Sequence, residues 1–262
     1  MLIPIVSAEN YSFVMKWGIK NGDGEFQFPE SIVIDSSGNV YVVDLGESRI
    51  QKFNATGSFL AKWGSYGSGD GQFKSPYGIG IDASDNIYVT DSVNNRVQKF
   101  TSSGAYVTKW GIPGSGDGEF QYPSGVTVDS SGNVYVTDTH NHRIQKFNSS
   151  GSFLTKWGEN GFEDGQFRGP LGVTTDSSGN VYVADSGNDR VQKFNASGSL
   201  LEIWGSHENF TIFQNPGSVA VDSSGNVWVA DEWNHRIRKF DPTTGVFLAT
   251  WGSFGEGDGQ FQ

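Results

Sequence analysis

The sequence predicts an all-β protein, a β-propeller of four-stranded antiparallel blades. Three observations predict it. Trp-Gly pairs begin at Trp17, Trp63, Trp110, Trp157, Trp204 and Trp251, each 46 or 47 residues after the last. Between them the same order of short runs recurs, alternating apolar and polar residues with a period of two, as half-buried strands do. No long window carries a helical period. Four short strands in a repeat of this length, copied along the chain, form the blades of a ring.

The third repeat shows each element in order. Run a spans Gly125 to Asp129, run b Asn133 to Asp138, run c Arg143 to Phe147 and run d Ser152 to Trp157. Val, Ile, Tyr, Phe and Thr dominate all four, the residues that fit a pleated surface. Between a and b stands Asp-Ser-Ser-Gly-Asn, and between c and d Asn-Ser-Ser-Gly, both hairpin chemistry. The 36 glycines among 262 residues fit a chain of many tight turns.

Composition narrows the function. The net charge of −11 argues against a nucleic-acid partner, which needs clustered Lys and Arg, and against a basic membrane-surface patch. No apolar run is long enough to span a bilayer. With no Cys there is no disulfide, thiolate metal site or Cys nucleophile. The start, Met1 to Ala8, reads like the tail of a secretion leader, with Val6 and Ala8 at cleavage-type positions but no basic segment before them. Residues 1–10 are therefore expected to be a leader remnant or a flexible terminus, and residues 11–262 the propeller. Asn-x-Ser/Thr sequons at Asn10, Asn54, Asn148, Asn195 and Asn209 fit an exported, extracellular or cell-surface protein.

The recurring phrases Pro-x-Gly-Val-x-Val-Asp, Asn-Val-Tyr-Val-x-Asp and Asn-His-Arg-Ile-Gln-Lys-Phe resemble the NHL repeat over roughly residues 11–262. The resemblance implies a propeller, typically six-bladed, and often a binding module. Runs a, b and c occur five times, with marker residues Asp44, Asp91, Asp138, Asp185 and Asp231. Run d occurs six times, because Tyr11 to Trp17 precedes the first a. Two arrangements fit: a six-bladed design lacking three inner strands, or a closed five-bladed ring with a spare outer strand. An open ring would leave an edge prone to blade exchange between chains.

Residues present in every blade are expected to be structural. The five Asp/Arg pairs, Asp44/Arg49 through Asp231/Arg236, bracket the b–c turn, where a charge-assisted hydrogen bond would pin it. The Trp residues read as packing between blades. Asp35, Asp82, Asp129, Asp176 and Asp222 read as Asx turns rather than calcium loops. His142 and His235 share a slot with Ser48, Asn95 and Asp189, so they read as repeat members rather than ligands.

Individuality lies where the columns vary. The b–c and d–a connections emerge on one face, the near-invariant a–b and c–d turns on the other, so the first face is the expected binding surface. After the marker Asp, His140 and the Glu232-Trp233 pair stand out. After the Pro that opens run a come Glu30, Tyr77, Ser124, Leu171 and Gly217, a column expected to rim the axial channel. The fifth d–a loop departs most and contributes His207 and Phe210. The candidate ligand-binding residues are thus Trp233, His140, Glu232, Tyr77, Leu171, Glu30, His207 and Phe210. The channel column, Val33, Gly80, Thr127, Thr174 and Ala220, is small and uncharged, so neither catalytic residues nor metal ligands are assigned. The expected function is non-enzymatic recognition of a protein or glycan, without a cofactor. The alternative, by resemblance alone, is a metal-dependent propeller lyase or lactonase-like enzyme.

Overall fold

In the computed structural model, residues 23–205 and 213–261 are described. They form five four-stranded antiparallel sheets, each following the chain from the axis outward. Blade 1 holds β1 (Pro29–Ile34), β2 (Val40–Asp44), β3 (Arg49–Phe53) and β4 (Phe59–Trp63). Blade 2 holds β5 (Pro76–Ile81), β6 (Ile87–Asp91), β7 (Arg96–Phe100) and β8 (Tyr106–Trp110). Blade 3 holds β9 (Pro123–Val128), β10 (Val134–Asp138), β11 (Arg143–Phe147) and β12 (Phe153–Trp157). Blade 4 holds β13 (Pro170–Thr175), β14 (Val181–Asp185), β15 (Arg190–Phe194) and β16 (Leu200–Trp204). Blade 5 holds β17 (Pro216–Val221), β18 (Val227–Asp231), β19 (Arg236–Phe240) and β20 (Phe247–Trp251). The expected propeller and its runs a to d are therefore present, with Pro opening every inner strand, where a missing N–H costs no ladder bond. Among the described residues, no helix is long and apolar enough to cross a membrane.

The core lies between blades rather than within them. Tyr41, Val43 and Ile50 of blade 1 share one buried cluster with Phe73, Ile79, Ile87, Val89 and Phe100 of blade 2. Equivalent clusters join blades 2 and 3, 3 and 4, and 4 and 5. The Trp ending each of β4, β8, β12 and β16 bridges the same boundary: the Trp110 ring lies 6.1 Å from Tyr88 in its own blade and 5.9 Å from Phe147 in the next. This is the packing role expected for the Trp column; Trp17 lies outside the described residues. On the far side of Trp110 sits Gly151, at φ +87°, where a Cβ would come within 2.6 Å of the indole. Only glycine fits that turn.

The inner strands adjoin in the order β1, β5, β9, β13, β17. At the boundary between blades 5 and 1 the pattern breaks. Ile79 of β5 is 4% exposed, but its counterpart Ile32 of β1 is 58% exposed and Ile34 61%. Ile81, the counterpart of Ile34, is half-buried. Among the described residues the boundary between blades 5 and 1 is therefore an open seam. The spare run at Tyr11 to Trp17 lies outside the described residues.

Candidate binding face

The loop face is built on a rigid frame. In blade 3, Asp138 is fully buried: one oxygen accepts the Gln121 N–H (2.7 Å), and the other accepts Arg143 Nε (2.7 Å), Gln145 Nε2 (3.0 Å) and Asn141 Nδ2 (2.9 Å). Arg143 also donates to the carbonyls of Ser115, Gly116 and Glu119, stapling the d–a loop to the b–c corner. The Asp–Arg Nε contact recurs in all five blades at 2.7–2.8 Å, so these pairs hold structure, as expected.

On the opposite face the a–b turns are closed by their own Asp. Asp35 accepts the N–H groups of Ser37 and Asn39, the Asn39 amide and the Tyr41 hydroxyl. Burial would raise its pKa, but the Asn39, Tyr41 and Ser37 hydrogen bonds outweigh burial and hold it down to about 2. These are Asx turns, and no oxygen-rich calcium loop is needed to explain them.

The His142/His235 slot has a backbone cause. Ser48, Asn95, His142, Asp189 and His235 all sit at φ 51–53°. Asn, Asp and His tolerate this left-handed region better than most residues. Their side chains then reach the next blade: Asn95 Oδ1 accepts the Tyr122 N–H (2.9 Å), His142 Nδ1 the Gly169 N–H (3.0 Å) and Asp189 Oδ1 the Asn215 N–H (2.7 Å). Burial, followed by the neighbouring His140, lowers the His142 pKa, which suits a neutral ring accepting at Nδ1.

What the frame displays is apolar. The b–c and d–a connections expose Phe28 (68%), Tyr66 (74%), Ile112 (61%), Phe162 (62%), Trp233 (65%) and Phe254 (70%), with Val93 and Tyr122 also exposed. On the opposite turns the exposed large apolar side chain is Val246. Of the residues expected from the sequence, Trp233 and His140 are exposed, and His140 stacks on Tyr122 with ring centroids 4.6 Å apart. Glu30 lines the axial channel, a cavity of about 720 Å³ whose walls include Val33, Gly80, Thr127, Thr174 and Ala220. Tyr77 and Leu171 are half-buried. The Leu171 carbonyl receives the Thr137 hydroxyl at 2.8 Å, a bond that ties blade 4 to blade 3. His207 and Phe210 lie outside the described residues.

Glu30, Glu232 and Tyr77 form an electrostatic group at the channel mouth. Backbone packing strips hydration from Glu30, and the Glu232 carboxylate then raises its pKa further. Burial raises Glu232 against a hydrogen bond from Asn215 Nδ2 (3.1 Å). Burial, then Glu30 and Glu232, push Tyr77 up to about 12. Among the described residues no group of three or more His, Asp or Glu converges to hold a metal ion, so the axial metal centre implied by the lyase alternative finds no donor set there.

The column before Pro carries residues that the sequence reading passed over. Phe28, Ser75, Tyr122, Gly169 and Asn215 all have φ between 49° and 60°. This region is unfavourable for a bulky side chain, and more so before proline. Ser, Gly and Asn suffice in three blades, yet Phe28 and Tyr122 place exposed aromatics there.

Comparison with known proteins fits this architecture. The NHL repeat matches residues 26–53, 73–100, 120–147, 167–194 and 213–240. The chain belongs to the NHL-repeat family. No curated protein matches it in sequence. Among solved structures, this NHL propeller is similar to a catalytically inactive virginiamycin B lyase from Staphylococcus aureus with quinupristin. That match has 17% identity and a TM-score of 0.63, and covers 87% of this chain and 70% of that one. It is similar to a streptogramin B lyase at 15% identity and a TM-score of 0.64, covering 87% of this chain and 69% of that one. A chain of the nidogen/laminin complex matches at 20% identity and a TM-score of 0.65, covering 85% of this chain and 79% of that one. At these identities the likeness is one of fold.

Proposed function

We propose that this propeller is a non-enzymatic recognition module, exported or displayed at the cell surface, that binds a protein or glycan on its loop face. One observation carries the reading: exposed aromatic and aliphatic side chains concentrate on the b–c and d–a connections and are almost missing from the opposite turns. Monomeric surfaces scatter such residues, and concentration on one face marks an interaction surface. Trp233 and the Tyr122–His140 stack are the anchors, since buried aromatics dominate interface energetics. Tyr77, Leu171, Glu30 and Glu232 shape the mouth between them, with His207 and Phe210 as further proposed contacts. The nidogen/laminin neighbour gives a precedent for a propeller in a protein complex. The test is ligand capture by the protein and by a Trp233→Gly/Tyr122→Ser variant with an unchanged melting curve. Loss of captured ligand supports the face; equal capture removes it.

A second reading, an enzyme like the lyase neighbours, draws on Glu30, Glu232 and Tyr77, whose pKa values are perturbed at one channel mouth. Elemental analysis of protein purified without chelators, together with turnover of a streptogramin B or a lactone, tests it. Activity lost on Glu30→Gln would replace the binding reading.

A further inference from the structure

Three of the four internal blade boundaries contain the same small joint; between blades 1 and 2, Leu45 and Ser48 stand in the slots of its hydrogen-bonding side chains. A residue-Pro-residue segment opening one blade lies in the b–c corner of the blade before it. In the joint between blades 3 and 4, Thr137 Oγ1 donates to the Leu171 carbonyl (2.8 Å) and Thr139 Oγ1 to the Pro170 carbonyl (2.8 Å), while His142 Nδ1 accepts the Gly169 N–H (3.0 Å). Between blades 2 and 3, Ser92 Oγ donates to the Pro123 carbonyl (2.6 Å) and Asn95 Oδ1 accepts the Tyr122 N–H (2.9 Å). Between blades 4 and 5, Ser186 Oγ donates to the Pro216 carbonyl (2.5 Å) and Asp189 Oδ1 accepts the Asn215 N–H (2.7 Å).

Blade 5 offers the same corner to the seam. There it is a pocket of about 440 Å³, lined by Ala230, Glu232, Trp233, His235, Ile237 and Phe261 among others. His235 Nδ1 is buried and has no hydrogen-bond partner among the described residues. Its ring is held by the edge of Phe254, with centroids 4.9 Å apart. Glu232, in the slot of Ser92, Thr139 and Ser186, is turned toward Asn215 Nδ2 and supplies no hydroxyl donor, so this corner offers the His235 acceptor alone. Ile237 is only half-buried, whereas its counterparts Ile50, Val97, Ile144 and Val191 are fully covered by the following blade. A buried acceptor without a donor is costly, and apolar surface beside it adds to the drive for cover.

We propose that this pocket binds an extended, proline-led peptide strand, X-Pro-x-x-aliphatic-x-aliphatic, whose X residue donates its N–H to His235 Nδ1. Three internal joints define that chemistry. Proline follows the donor in every blade, an aliphatic side chain stands three residues after it, and a second stands five after it except in blade 4, which has Thr175; in β5, Ile79 and Ile81 pack on the preceding blade. The partner is a protein carrying such a segment; a strand of another copy has the same pattern. The inference does not depend on the loop-face ligand, because its defining contact is made at His235, although Trp233 and Glu232 border both sites.

The probe is a synthetic peptide of residues 74–82, Lys-Ser-Pro-Tyr-Gly-Ile-Gly-Ile-Asp, titrated into the full chain by calorimetry. Saturable binding is expected. Methylating the peptide nitrogen of the residue before Pro should weaken it about three- to tenfold, the range of one hydrogen bond. His235→Phe keeps a ring against Phe254 and removes the acceptor, so it should weaken the unmodified peptide equally and abolish the effect of methylation. Ile237→Asp should weaken binding further, and Tyr122→Ser, away from the seam, should leave it unchanged. No saturable binding at millimolar peptide would overturn the proposal, as would equal affinity for His235→Phe. Equal loop-face capture by the Trp233→Gly/Tyr122→Ser variant, with peptide binding to the unaltered chain intact, would remove the proposed function and leave this inference standing.

Discussion

The two faces of the ring share strands, yet spend their sequence differently. On the turn face, Asp-Ser-Ser-Gly-Asn recurs because each position has a local duty. Asp35 closes its own turn with four acceptor contacts, and Gly151 lies flat on Trp110. On the loop face, a fixed skeleton of Asp, Arg and Gln takes over the hydrogen bonding. The residues between are released from structural work and differ from blade to blade. A face whose turns carry themselves cannot vary; a face whose loops are held from below can.

The comparison breaks most severely if that skeleton is removed. Asp138→Ala would leave the Gln121 N–H and Arg143 Nε without their acceptor, take one of two acceptors from each of the Gln145 and Asn141 amides, and strand the buried Arg143 charge. Deleting one partner of a buried pair costs about 3–5 kcal/mol. Denaturant titration should show that loss, whereas Trp233→Gly, at an exposed tip, should stay within about 0.5 kcal/mol. A small effect at Asp138 would mean that the loops hold themselves.

The turn face is tested next by Gly151→Ala. Its Cβ would come within 2.6 Å of Trp110 at a φ of +87°. Left-handed backbone costs an L-residue roughly 1–2 kcal/mol, and the contact with the indole adds to it. Gly132→Ala, at φ +80° but with its nearest neighbour at 3.9 Å, pays only the backbone part. The difference between the two midpoints measures how tightly turn and Trp are locked.

Tyr122 sharpens the comparison in the opposite direction. It holds φ 52° before a proline and is partly exposed, so its shape is not required by the fold. Tyr122→Asn, the residue used at Asn215, should leave stability equal or up to about 1 kcal/mol higher while weakening loop-face capture. A substitution that stabilises the fold and costs binding is the signature of strain kept for recognition.

The architecture was readable because the repeat states it five times over. The strand period, the turn phrases and the Asp–Arg spacing each recur, and the structure gives each the structural role expected. The site was less readable, because exposure and left-handed backbone leave little trace in one sequence. His140 and Trp233 stood out by type. Tyr122, which meets His140, and Phe28 sit before Pro, where Ser75, Gly169 and Asn215 made the column look like ordinary turn chemistry. Tyr77 and Leu171 follow Pro and point to the mouth in the sequence pattern, but both are half-buried. The seam was half legible: counting runs left an open ring and a closed one both standing, and it took the exposure of Ile32 to separate them.

The smallest effect concerns pH and the joint between blades 3 and 4. Burial and the neighbouring His140 hold the His142 pKa below its ordinary 6.5, with Arg168 acting the same way and Asp185 and Asp138 opposing. The unfolded chain therefore takes up a proton that the folded chain resists, and stability falls as pH drops below about 6.5. Above that value the contribution is fully present, because the neutral Nδ1 accepts the Gly169 N–H. His142→Asn supplies an uncharged acceptor of the kind Asn95 already uses toward Tyr122. Melting curves of the two proteins should coincide at pH 8 and separate between pH 6.5 and 5, with the Asn variant the more stable. Parallel curves across that range would mean that the joint is held by the Thr137 and Thr139 hydroxyls alone, and that the slot serves backbone shape rather than contact between blades.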